Sequence, residues 1–203
     1  MQVLVFGKTG QVASELAARP NVTALARDIA DFSDPEAIIK IIEDTRTDII
    51  INAVAYTAVD SSEKDEDLAT VINGTTVAQI AIVAAARNIP FLHISSDYVF
   101  KGNGFKAWKP DDQTNPLSAY GRSKLHGEHG VTAAGGPHVI LRTSWVFSSH
   151  GTNFVKTMLG LGLSRETLSI VNDQIGGPTE AADIADALWT IALAFYAGNG
   201  VTD

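Results

Sequence analysis

Five short apolar runs constrain this chain most: Val3–Phe6, Val22–Leu25, Ile49–Asn52, Phe91–Ile94 and Val139–Leu141. Valine and isoleucine dominate several of them, and stretches of helical pattern lie between most of them. A run that is apolar at every position must be covered on both faces, which a two-faced antiparallel sheet does not do. Strands alternating with helices therefore predict an α/β fold, a doubly wound parallel sheet between two helical layers. At 203 residues the chain suits one such domain with a short addition.

The connections carry their own signals. Asp34 followed by Pro35 is a helix cap with proline at the first helical position, which starts a helix running to about Glu43. Asp65 to Asn88 is alanine-rich and helical in pattern, closed by Asn88 and Pro90. Residues Lys101 to Leu117 are rich in Gly, Lys, Asp and Pro and lack periodicity, so they read as an extended loop leading to Tyr120. Beyond Arg142, Asn153–Leu163 and Ala181–Ala197 are expected as helices and Leu168–Val171 as a short strand. From Gly198 to Asp203 the chain is polar with no distinct element.

Directly after the first run stands Gly7-Lys8-Thr9-Gly10-Gln11-Val12-Ala13. A strand, a glycine turn and a helix in that order expose backbone N–H groups to a pyrophosphate, and the sheet is then Rossmann-like. Gly7 and Gly10 permit the turn and a close approach, and Ala13 takes a third small position. The spacing is Gly-x-x-Gly-x-x-Ala rather than Gly-x-Gly-x-x-Gly, so an ordinary strand-to-helix turn is the plain alternative. A triphosphate loop is excluded, because Gln2 stands where that motif needs its first glycine. The second run ends in Arg27, which with Lys8 favours the extra phosphate of NADP, although Asp28 is adjacent. Asp31 and Phe32 follow, placed either to meet an adenine edge or to form a polar turn.

Tyr120 and Lys124 are separated by one helical turn and share a helix face. An ammonium beside a phenol favours the phenolate, which brings the hydroxyl toward acid–base strength at neutral pH. Ser95-Ser96-Asp97 sits at the carboxyl end of the fourth run, the edge where ligands gather in open α/β sheets. A hydroxyl there can donate to a carbonyl oxygen; a turn or cap is its plain alternative.

Composition removes other classes. A net charge of −8 argues against a nucleic-acid partner, and the absence of cysteine removes disulfides, thiolate zinc and a thiol nucleophile while suiting a cytoplasmic setting. No apolar run approaches the ~18 residues of a membrane span, and the N-terminus reads as a strand rather than a signal peptide, so no membrane partner is expected. His126 and His129 share a helix face without further ligands, so no metal site is assigned. No Gly-x-Ser-x-Gly elbow marks a hydrolase. Singly, Trp108, Trp145 and Trp189 read as core or rim residues.

Through Gly7-x-x-Gly10, Asp31, Ser96 and Tyr120-x-x-x-Lys124 the chain resembles the extended short-chain dehydrogenase/reductases. Phe6–Val12, Asn52–Asp60, Ser95–Phe100, Arg142–Phe147 and Asn172–Thr179 narrow this to a resemblance to the dTDP-4-dehydrorhamnose reductase family, with Ser95-Ser96-Asp97 replacing its usual Ser-Thr-Asp. The resemblance implies NADPH or NADH as cofactor, held by Gly7, Gly10, Gln11, Val12, Arg27, Asp31, Phe32, Ala55, Tyr56, Thr57, Tyr120 and Lys124. It implies a dTDP-linked 4-keto-6-deoxy sugar as substrate, met by Ser96, Asp97, Tyr98 and Trp145. Tyr120 would be the general acid, with Lys124 and Ser96 as its catalytic companions. A homodimer is compatible with it, as is magnesium at a subunit contact, although no residue pattern points to the ion.

Residues 1–145 are accordingly expected to form the dinucleotide-binding domain, with 146–203 a partial substrate-binding region interleaved with it. Family members continue past the position of Asp203, so that small C-terminal part is expected to be incomplete. Reduction of another nucleotide-linked keto-sugar, or a non-catalytic NADP-binding regulatory subunit, are the rival functions.

Overall fold

The computed structural model describes residues 1–199. The polar end expected at 198–203 falls, from residue 200 on, outside the described residues. Strands β1 (Val3–Phe6), β2 (Val22–Leu25), β3 (Ile49–Asn52), β4 (Phe91–Ser96) and β5 (His138–Thr143) form one parallel sheet in the order β2-β1-β3-β4-β5. The expected α/β doubly wound sheet is therefore present, with β4 and β5 longer than the apolar runs alone indicate.

Right-handed crossovers decide which face each helix covers. The step from β1 to β2 runs toward one edge, so α1 (Gln11–Ala17) lies on one face. Every later step runs the other way, which places α2 (Pro35–Asp44) and the helices before β4 and β5 on the opposite face. There Leu4, Phe6, Ile50 and Phe91 pack with Ile38, Ile42, Val77, Ile80 and Val131. The first face would be left with α1 alone. Helix α8, residues 181–196, returns to fill it, with Ile184, Ala185, Leu188 and Ala192 against Val3, Val5, Ile51 and Leu92.

Asp34 caps α2 by accepting from Ala37 N at 3.1 Å, with Pro35 at the first helical position, as its sequence indicates. A short helix α3 (Val59–Ser62), not legible in the sequence, precedes the long helix. The helix expected over 65–88 is three pieces, α4 (Glu66–Thr70), a π-helical turn at Val71–Thr75 and α5 (Thr76–Ala86). Residues Glu66–Ala86 form 21 continuous residues with a hydropathy of 1.6, long and apolar enough to cross a membrane by length and composition. That corrects the expectation that nothing approaches such a length: Asn73 and the threonines interrupt the apolar run, but its aliphatic residues keep the mean hydropathy high. Half of the stretch is buried, and it packs against α2 and α6 (Ala119–Ala134).

The strand expected at Leu168–Val171 does not form. Ile170 and Val171 are exposed, and no neighbouring strand offers them a ladder. The strand pairing in this part of the chain is instead β6 (Val146–Phe147) with β7 (Thr179–Glu180). Between them α7 (Phe154–Gly162), capped by Asn153, buries none of its residues.

Candidate active site

The carboxyl ends of the five strands border a cleft of about 750 Å³, with the reversal of strand order between β1 and β3. Every residue that the resemblance assigns to cofactor or substrate lines it: Gly7 and Gly10 to Val12, Arg27, Asp31 and Phe32 at one end, Ala55 to Thr57 along it, and Ser96, Asp97, Tyr98, Tyr120, Lys124 and Trp145 at the other.

Gly7 takes φ +105°, and an added Cβ would sit 3.2 Å from Ala13 Cβ and 3.3 Å from the Ala53 carbonyl. Both conformation and space exclude a larger residue. Gly10 is the N-cap of α1 and provides no side chain, so the first N–H groups of that helix border the cleft uncapped. A cradle shaped by missing side chains at a helix start fits a pyrophosphate.

Two members of the loop differ from their expected roles. The Gln11 side chain is engaged with the later segment, donating to Val146 O at 3.2 Å and accepting from Asn153 Nδ2 at 2.9 Å. Its backbone is what remains for a ligand. The Phe32 ring is buried, edge-on to Phe6 at 5.4 Å, so it forms the floor of the cleft. At the rim, Arg27 is largely exposed and lies 3.5 Å from Asp31, whose carboxyl is held below the usual range by Ser33 N–H and then by the arginine.

Asn73, unremarked in the sequence, shapes the middle of the cleft. Its side chain accepts from Tyr56 N at 2.8 Å and donates to Tyr56 O at 3.2 Å and to Ser123 Oγ at 2.9 Å. The π-helical turn thus clamps the Ala53–Ala58 loop to α6. Only a buried polar residue inside an apolar helix signals this.

Helix α6 begins one residue before Tyr120. Ser118 Oγ accepts from Gly121 N at 3.1 Å, and Glu63 accepts from Ala119 N at 2.8 Å. A Cβ on Gly121 would collide with the Tyr98 carbonyl, so glycine allows the helix to press on the 3₁₀ turn at Asp97–Val99. Tyr98 then packs edge-on against Tyr120 at 5.4 Å. Ser96 Oγ donates to Asp97 Oδ1 at 3.1 Å and accepts from Tyr98 N at 3.2 Å. Burial raises the Asp97 carboxyl above its ordinary value, opposed by Ser96. Ser95 Oγ, buried in the wall of the cleft, has no hydrogen-bond partner among the described residues.

The spacing of Tyr120 and Lys124 is as the sequence indicates, but their chemistry is not. Lys124 is 1% exposed, and its Nζ donates to Ile94 O at 2.7 Å and lies 3.4 Å from His93 Nε2; among the described residues no hydrogen bond joins it to Tyr120. Burial pushes Lys124 down to about 8. Burial pushes the Tyr120 phenol up to about 12, with the Ser96 hydroxyl opposing. Desolvation outweighs any ammonium field, so without a ligand the phenol holds its proton more tightly than in water.

Trp145 has φ 45°, a left-handed conformation costly for a bulky residue, and is 44% exposed over Gly176. A platform held in such a conformation at a cleft fits a ligand contact. Among the described residues no three His, Asp or Glu side chains cluster as a metal site would need.

Residues 1–200 match the family model described as RmlD substrate binding domain. The dTDP-4-dehydrorhamnose reductase of Escherichia coli strain K12 is 45% identical over 194 residues, covering 92% of this chain and 65% of the relative. That of Burkholderia thailandensis is 45% identical over 190 residues, with 92% and 64% covered. The chain thus spans about 65% of the length of these curated relatives. The crystal structure of dTDP-4-dehydrorhamnose reductase from Bacillus anthracis in complex with NADP superposes with a TM-score of 0.90 at 34% identity, covering 95% of this chain and 71% of that one.

Proposed function

The chain belongs to the RmlD substrate binding domain family, and from that premise we propose that it reduces the C4 keto group of dTDP-4-dehydro-L-rhamnose, yielding dTDP-L-rhamnose. The observation that carries this reading is the single cleft in which the glycine cradle and the Ser96–Tyr120–Lys124 group face one another. NADPH or NADH would lie from Arg27 past Gly10 to Lys124; when bound, its reduced nicotinamide supplies hydride. The largely exposed Arg27 guanidinium, paired with Asp31 through Nε at 3.5 Å, favours the 2′-phosphate of NADPH.

The residues divide the remaining work. Ser96 and Tyr120 donate hydrogen bonds to the substrate's keto oxygen as negative charge grows there. Tyr120, fully protonated at neutral pH, then delivers its proton to the alkoxide. Tyr98 and Trp145 hold the sugar ring between them, and Asp97 meets a hydroxyl beside the reacting carbon. Residues 1–145 would carry the dinucleotide side and, through Ser96 to Tyr98 and Trp145, the named sugar contacts; of the region expected over 146–203, Val146, Gly151 and Thr152 add to the lining and α8 packs on the sheet instead. A cysteine-free, acidic chain suits a cytoplasmic enzyme. A homodimer belongs to the same reading.

Loss of NADPH absorbance with dTDP-4-dehydrorhamnose tests the proposal directly. Turnover should fall about 100-fold or more in Tyr120→Phe, while NADPH affinity changes by less than about threefold. Undiminished turnover in that variant would overturn the assignment. A panel of other nucleotide-linked keto-sugars identifies a different substrate, and tight NADPH binding with no turnover of any of them points to a regulatory subunit.

A further inference from the structure

A buried chain of polar groups runs behind the cleft and touches no expected ligand position. Asn52, the last residue of β3, and His93, inside β4, are both 0% exposed. Asn52 Oδ1 accepts from Val54 N at 2.9 Å, which orients the amide and turns Nδ2 toward His93 Nδ1 at 3.1 Å. Nδ1 must then accept. A neutral imidazole that accepts at Nδ1 carries its proton on Nε2, and Nε2 faces Lys124 Nζ at 3.4 Å.

A donor aimed at an amine favours the free amine, because an ammonium has no lone pair to receive it. We propose that Asn52 and His93 form a positioning pair for Lys124, presenting an imidazole N–H that weakens the lysine's hold on its proton, so that the group can exchange it near neutral pH instead of standing as a fixed cation. This rests on the reductase reading: a lysine able to exchange its proton can refill Tyr120 after each turnover through groups lining the cleft.

Glu128, one turn along α6, favours the ammonium and so opposes both burial and the pair, but its carboxylate is engaged by Arg142 of β5 at 2.9 and 2.6 Å. Asp97 of the 3₁₀ turn and Tyr120 of α6 line the same cleft as Lys124, while the π-helical turn contributes uncharged Asn73 through Ser123. His93 is held neutral, first by burial and then by the lysine.

Nuclear magnetic resonance of the cofactor-free chain, labelled at histidine ring and lysine side-chain nitrogens, reads both halves of the proposal. His93 should show a bare Nδ1 and a protonated Nε2 from pH 6 to 9 in the wild type. In His93→Leu the Lys124 midpoint should rise by about 0.5 to 1 pH unit, and in His93→Gln, whose amide can again present an N–H, it should stay within about 0.3 of wild type. An Nδ1-protonated ring, a doubly protonated ring at pH 7, a Lys124 midpoint that stays or falls in His93→Leu, or an equal rise in both variants would each overturn it. The tautomer is read without any substitution, so a variant that does not fold leaves the proposal open to refutation. Neither measurement needs cofactor or sugar, so a chain that reduces no keto-sugar still answers the question, and a wrong tautomer leaves Tyr120 as the acid.

Discussion

The sheet with its two helical layers and the stretch from Phe154 to Ile175 are built from equally apolar sequence, yet they are held in opposite ways. In α8, Leu188 is 0% exposed and its neighbours close on the sheet; in α7, Leu159 is 67% exposed. Both helices have an apolar face by pattern. Only α8 meets a sheet face that the crossovers leave without full cover. A helix is thus stabilised by what its face meets and not by the face itself. The cleft follows the packed part: its described lining draws on the strand ends, α6 and the turn near Gly151, and on no residue of Phe154 to Ile175.

Stability measurements can break this comparison. Leu188→Ala should lower unfolding free energy by about 2 to 5 kcal/mol, since it opens a cavity between α8 and the sheet. Denaturant unfolding monitored by circular dichroism checks it, and a loss under about 1 kcal/mol would show that α8 is not part of the core.

Lys124 gives the next effect, with opposite sign. Its folded value of about 8 lies below the ordinary lysine value of 10.5, so at pH 7 the folded state bears the cost of a buried ammonium. Lys124→Met should therefore raise stability at pH 7 by about 3 kcal/mol while turnover disappears, a gain bought at the site. Between pH 8 and 10.5 the unfolded wild type holds the extra proton, so the Lys124 contribution makes wild-type stability rise across that window. The advantage of the methionine variant should shrink in parallel. An advantage independent of pH would refute the assignment of the cost to the ammonium.

The smallest effect sharpens the contrast. Leu159→Ser should change stability by less than about 0.5 kcal/mol. A loss near that of Leu188→Ala would mean that α7 is covered in solution.

The five strands and their parallel pairing were legible because the apolar runs are short and mostly separated by helical pattern, while their order in the sheet was not. The strand expected at Leu168–Val171 shares that composition but has no neighbour to pair with, and pairing is a tertiary fact. The cleft was legible because glycine turns and the Tyr120–Lys124 spacing are local. Asn73 and His93 were not, since each is one polar residue inside an apolar element whose partners, Tyr56 and Lys124, lie 17 and 31 residues away in sequence. The sign of the Tyr120 shift escaped for the same reason: spacing reveals a neighbour but not the burial that outweighs it.

The return of α8 across the sheet also orders events during synthesis. When the ribosome has released residues through β5, one face of the sheet can already be closed by α2, α5 and α6. The other presents Val3, Val5, Ile49, Ile51 and Leu92 with only α1 as cover until residue 196 has emerged. Nascent chains stalled between these two points hold an open apolar surface, and that window is when a holding chaperone has most to bind.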